Sequence, residues 1–243
     1  MEISSFTVTF DDPHVATVTL TRPESGNRLT AEDLPALGQA ILNAGSQRDV
    51  KVVLIKAQGE QFCMGRDPGP AAASPKSALQ IRNGVTEPIL GIYEAIRGTP
   101  VPVIAVVQGE ARGFGCAFVG QCDLAIASDM ATFSLPEMDT DLPPTLAISA
   151  VLGKIPPKRL THLIYTREKI GAKEALELGL LSEVVPASEL ERATRKTVAR
   201  MTDRRRPALE AVKEYMAIAP HLDAHAASRY ASALLSVVLS SKT

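Results

Sequence analysis

The chain has 243 residues, 45% of them hydrophobic and 22% charged, with a formal net charge of −1. This is ample apolar material for one large domain, and the charge balance supplies no basic field for nucleic acid or an anionic membrane. No apolar run approaches the roughly 18 residues of a membrane-spanning helix, and Cys63, Cys116 and Cys122 match no metal-ligand spacing, which reads as free thiols in a reducing, cytoplasmic compartment.

The first residues, MEISSFTVTF, alternate like a strand and lack the basic start and apolar stretch of a secretory signal. Ile3–Phe10 and His14–Leu20 alternate around Asp11-Asp12-Pro13 and predict a β-hairpin. After a turn at Arg22–Asn27, Thr30 and Asp33 form a short capping box. Leu34, Leu37, Ile41 and Leu42 then predict a helix over about 30–47. Lys51–Ala57 has the length and apolarity of a strand buried on both faces. Residues 68–76, PGPAAASPK, predict a mobile loop. Ile89, Ile92, Tyr93 and Ile96 mark a helix ended by Thr99-Pro100; Val103–Val107 is another buried strand; Ala117–Gln121 closes a short helix; Asp123–Ser128 and Thr132–Ser134 are strands.

From Thr145 the pattern is almost wholly helical: Leu146–Leu152, Lys158–Tyr165, Ala172–Leu178, Glu189–Met201, Pro207–Ala217 and Asp223–Leu239, with Leu181–Val185 as the one strand. The alternation of the first two thirds indicates α/β. An apolar helix face so near the chain end calls for a partner surface, another element of the chain or another subunit.

Three pieces between Phe62 and Glu137 carry the chemistry. Phe62-Cys63-Met64-Gly65-Arg66-Asp67 and Gly109-Glu110-Ala111-Arg112-Gly113-Phe114-Gly115-Cys116 are glycine turns after apolar runs. Ala131–Glu137 is a short strand ending in Pro-Glu. Two such turns can aim backbone N–H groups at one carbonyl oxygen, with Glu137 moving protons beside it. Equally, glycines suit structural turns, and a glutamate after proline suits a helix start.

These pieces resemble motifs of the enoyl-CoA hydratase/isomerase, or crotonase, family. Arg22-Pro23…Asn27-Arg28-Leu29 is similar to the family's RP…NAL turn and Phe62–Asp67 to FCAGxD. Gly109–Cys116 falls where the family has G-x-x-x-G-G-G-C, and Cys122–Ala127 where it has CDxxIA. Phe133…Pro136-Glu137 matches F…PE, and Ala172…Ala175…Gly179-Leu180-Leu181 is similar to A…A…GLV. The six follow the family's order over nearly the whole chain. The resemblance implies an α/β fold, a crotonase-like spiral of ββα units over 1–188 with a helical C-terminal region for trimerisation over 189–243. It also implies a homotrimer or dimer of trimers, with neither nucleic acid nor membrane as partner. The substrate would be an acyl-CoA thioester, with coenzyme A entering only as part of it and no resident cofactor or metal.

Within that resemblance the thioester enolate would be held by the backbone N–H groups of Arg66 and Phe114, with Glu137 as general acid/base. Arg28, Met64, Gly65, Asp67, Pro68, Gly113 and Lys213 would contact substrate or CoA, Lys213 near the phosphates. Two departures matter. Phe114 replaces a glycine, which narrows the pocket or shifts the turn. Ala117 stands where two-glutamate hydratases carry their second carboxylate, and it is expected to point into the site one helical turn after Phe114. One carboxylate suffices to shuttle a proton between C2 and C4 of an enoyl thioester, so the pattern favours an isomerase. A hydratase or lyase acting on a bulky or aromatic acyl-CoA is an alternative, as is a CoA-thioester-binding scaffold without catalysis. Asp139, Asp141 and Thr145 either assist the chemistry or cap the helix that follows.

Overall fold

The hairpin signals become β1 (Phe6–Asp12) and β2 (Val15–Leu20), antiparallel with Phe6 opposite Leu20 and an irregularity between Thr9 and Asp12. The computed structural model describes residues 5–67 and 77–240, so the 68–76 segment read as a mobile loop lies outside the described residues. The apolar runs form β3 (Val52–Ala57), β4 (Val103–Val107), β6 (Leu124–Ser128) and β9 (Glu183–Val185). They join the hairpin in a sheet of order β1-β2-β3-β4-β6-β9, parallel from β2 onward.

The side-chain period of two sorts these strands into two cores. On one face Val18, Val53, Ile55, Ala105 and Ala127 meet Leu34, Leu37 and Ile41 of α1 (Asp33–Ser46) and Ile92 and Ile96 of α3 (Glu87–Gly98). On the other, Val52, Leu54, Ile104, Val106 and Ile126 meet Leu190, Ala193 and Val198 of α8 (Leu190–Thr202). A sheet covered on both faces explains why its strands read as continuous apolar runs. It also places α8 against the sheet, in the second of these cores; α9 (Arg206–Ile218) and α10 (Ala224–Ser240) contribute no residue to either.

A second, smaller sheet joins β5 (Ala111–Arg112), β7 (Thr132–Ser134) and β8 (Ile170–Gly171). Short helices α4 (Phe114–Gln121), α5 (Thr145–Val151), α6 (Pro157–Thr166) and α7 (Ala172–Glu177) follow the pattern. Residues 78–86, to which the sequence reading assigns no element, are helical. Ser77 and Gln80 form a capping box that starts α2 (Ala78–Ile81), and a π-helical turn at Arg82–Thr86 leads into α3. This segment is largely exposed, and its apolar positions Ile81 and Val85 line the cavity described below, with Asn83-Gly84 between them as poor helix formers. α1 begins at Asp33 rather than 30, yet the expected cap forms: Thr30 N and Oγ donate to Asp33 Oδ2, and Asp33 N donates to Thr30 Oγ.

Candidate active site

The two glycine turns are hydrogen-bonded to one another. Phe62 N and Cys63 N donate to Glu110 O at 3.0 and 3.2 Å, and Arg112 N donates to Cys63 O at 2.9 Å. The approach is so close that a Cβ on Gly115 would sit 2.0 Å from Cys63 O, so only glycine fits there. Leu29 N donates to Gly65 O and Asp67 N to Leu29 O, which turns the N–H of Arg66 to the opposite side of that short ladder. Phe114 opens α4, where first-turn N–H groups have no intrahelical acceptor. Neither N–H, of Arg66 or of Phe114, donates to a described residue.

Both residues line a cavity of about 570 Å³, together with Met64, Gly65, Gly113, Glu137 and Thr145. Ile81, Val85, Ile89, Leu142 and Leu146 supply an apolar wall, and Tyr93, Arg112 and Asp139 also reach it. The volume suits a small-molecule pocket. Glu137 begins a 3₁₀ turn after Pro136. Its Oε1 would lie 2.9 Å from a Cβ on Gly113, so that glycine (φ 56°) lets the carboxylate approach the turn bearing the Phe114 N–H. Oε2 is buried with no hydrogen-bond partner among the described residues. Burial pushes the Glu137 carboxyl above the usual range, while its own backbone N–H and the Arg112 guanidinium pull it part of the way back.

The Phe114 side chain stacks between Tyr93 (centroids 6.4 Å, interplanar 8°) and Phe118 (5.7 Å, 18°), and with Tyr93 gives the cavity an aromatic wall. The Tyr93 phenol is held above its usual pKa, by burial first and then by the Glu137 charge. The three thiols are free and buried; burial pushes each up to about 12.

Several expected site residues lie elsewhere. Lys213 is buried on α9, and its ammonium donates to Ile96 O (2.8 Å), Val101 O (3.1 Å) and Asp123 Oδ2 (2.7 Å). It clamps α9 to the end of α3 and the entry to β4 and has no reach for a CoA phosphate. Asp141 is exposed at φ 57°, ending the 3₁₀ turn, and is absent from the cavity wall. Ala117 is fully buried and also absent from it. Of α4 only Phe114 reaches the cavity wall, and the one-turn spacing does not bring Ala117 to it. Arg28 donates to Ser25 O, and neither it nor Asp67 lines the cavity. Pro68 lies outside the described residues. The sequence reading missed Tyr93, taken only as an apolar helix position, and Arg112, passed over as a variable turn residue. A guanidinium directly before the Gly113-Phe114-Gly115 turn was the available signal for Arg112.

Among the described residues no three His, Cys, Asp or Glu side chains converge as a metal set would, and no helix is long and apolar enough to cross a membrane. Residues 12–242 match the family model described as enoyl-CoA hydratase/isomerase. The chain belongs to the enoyl-CoA hydratase/isomerase family. Similar members include human enoyl-CoA hydratase domain-containing protein 3, mitochondrial, 33% identical over 79% of this chain and 63% of that protein. The (E)-benzylidenesuccinyl-CoA hydratase of Thauera aromatica is 35% identical over 73% of this chain and 68% of that one. This chain thus spans less than two thirds of the human and rat relatives it matches, 63% and 58% respectively. Among solved structures, an enoyl-CoA hydratase of Mycobacterium smegmatis superposes with TM-score 0.91 at 27% identity, over 97% of this chain and 91% of that one. A Thermobifida fusca family member in complex with CoA superposes with TM-score 0.85 at 27% identity, over 98% and 94%. The family's crotonase-like α/β fold with a helical C-terminal region is the fold of this chain.

Proposed function

We propose that the chain is an acyl-CoA enzyme that forms a thioester enolate in this cavity and works as an enoyl-CoA isomerase. The observation that carries the reading is the juxtaposition of Glu137, a partly buried carboxylate with an unpartnered oxygen, with two N–H groups that have no acceptor among the described residues. Fixed backbone dipoles stabilise charge as it develops on the thioester oxygen, and one such donor is typically worth about 10²–10³ in rate. Glu137 removes a proton from C4 or C2 of the enoyl group, the dienolate oxygen rests on Arg66 N–H and Phe114 N–H, and the same carboxyl returns the proton to the other carbon. Burial raises its proton affinity toward that of a useful base.

A hydratase is the second reading. Asp139 also lines the cavity and could share a water with Glu137, although it is paired with Arg167 at 2.8 Å. The relatives named as hydratases point the same way. Incubation with a panel of enoyl-, dienoyl- and hydroxyacyl-CoA thioesters, with products resolved by mass and retention, separates the readings. Isomerisation gives a product of unchanged mass, and hydration adds one water. Binding of the thioesters without turnover of any of them would contradict both in favour of a scaffold.

A further inference from the structure

Arg112 has no work to do in the chemistry above. It lines the cavity from β5, immediately before Gly113 and Phe114, and no nitrogen of its side chain donates a hydrogen bond to a described residue. Its one ionic neighbour among the described residues is Asp139 at 4.0 Å, and Asp139 is already engaged by Arg167 Nε at 2.8 Å. The other acidic group of that turn, Glu110, is taken by Lys169 at 2.9 Å. A guanidinium carries five donors and tends to meet a carboxylate through two of them. Left as it is, Arg112 also weakens Glu137 as a base, because its positive charge favours the ionised carboxylate. Arg66 lies on the same wall, where the turns touch: a Cβ on Gly65 would be 3.1 Å from Arg112 O. Arg66 has no carboxylate partner among the described residues, and its one hydrogen bond is a long 3.5 Å contact to Asp67 O.

We propose that the substrate's acyl group carries a second carboxylate, and that Arg112, with Arg66 adding positive potential, receives it against the apolar and aromatic wall of the cavity. This deepens the acyl-CoA reading and rests on it. The CoA phosphates are a poorer match for Arg112. The long pantetheine arm separates them from the thioester, whereas Arg112 is two residues from the Phe114 N–H and close enough to Glu137 for its charge to be felt there. A plain fatty acyl chain is a poorer match too, since it would strip water from the guanidinium and offer no acceptor in return.

The test is the affinity of saturated thioesters, which need no proton transfer and so do not depend on Glu137. Glutaryl-CoA is compared with pentanoyl-CoA, and adipyl-CoA with hexanoyl-CoA, by titration calorimetry with the full chain. The dicarboxylic member binds at least about tenfold tighter at one of the two lengths, the scale of a charge-assisted hydrogen bond. Arg112→Met brings that ratio close to one, and Arg112→Lys, a milder change, leaves only part of it because an ammonium cannot grip a carboxylate bidentately. Equal affinities at both lengths in the unmodified protein, or a ratio that survives both substitutions, would overturn the proposal while leaving the proton-transfer reading standing. A carboxylate preference without turnover on the thioester panel would instead count against the proton-transfer reading alone. Failure to bind any of the four thioesters would overturn both.

Discussion

Glu137 couples stability to pH in a direction that its surroundings fix. Burial raises its folded-state pKa above the unfolded value. The carboxyl therefore costs the fold nothing below the ordinary glutamate range, and stability is lost as pH rises through the folded pKa. Glu137→Gln, which cannot ionise, is expected to melt higher than the unmodified chain near neutral pH and at the same temperature well below the unfolded pKa. A melting series against pH checks this; a gap that widens toward acid would contradict it. Ala117 behaves otherwise. With no solvent contact and no place on the cavity wall, Ala117→Glu is expected to lower the melting temperature sharply, since burying an unpaired carboxylate costs several kcal/mol. The residue-level motif suggested a route to added hydration; the enclosed helix removes it. A variant that melts like the parent and hydrates a short 2-enoyl thioester would show that the helix opens toward the substrate.

At the scale of elements, what the sequence disclosed depended on the kind of signal. The strands buried on both faces and the amphipathic α1 and α3 were legible because their apolar periods are strong. The Thr30–Asp33 box was legible because a cap is local chemistry. The helical stretch at 78–86 was not, because its apolar positions Ile81 and Val85, which line the cavity, are separated by Asn83-Gly84, and β5 and β8, each two residues long, are defined by partners far along the chain. Within the site, Glu137 and the two turns were legible as motif positions, whereas Arg112 and Tyr93 became visible only once β5 and α3 met around one cavity. Lys213 illustrates the converse: a lysine at a motif position is consumed by Asp123 and two carbonyls. Lys213→Met is expected to destabilise the chain by about 1–3 kcal/mol, the usual cost of leaving buried acceptors such as Ile96 O and Val101 O unpaired, since Asp123 is itself exposed, with little change in affinity for a CoA thioester. Denaturant unfolding alongside thioester titration checks it; intact stability with weakened CoA binding would restore the phosphate role.

For the whole molecule, α10 is the element without a home. None of its residues is buried; it packs on α9, with Tyr230 stacked on Tyr215 at 6.2 Å, and it exposes Leu235, Val237 and Leu239. α9 likewise exposes Val212 and Met216. Apolar surface of that extent on adjoining helices is what subunit contact covers. The chain is therefore expected to assemble as a trimer or a dimer of trimers at micromolar concentration, measured by light scattering, with Val237→Asp shifting it toward smaller species. A monomer in the unmodified protein would contradict the reading of these two helices.

Turnover of Glu137→Gln, on whichever thioester the unmodified chain converts, tests whether Glu137 moves the proton of a thioester held by two backbone N–H groups. The rate is expected to fall at least about 10²-fold, the usual scale for losing a general base, with CoA-thioester affinity and folding retained. In the unmodified chain the rate should rise with pH through an apparent pKa above the ordinary glutamate value. Turnover by Glu137→Gln within a few-fold of the unmodified chain would contradict that role of Glu137.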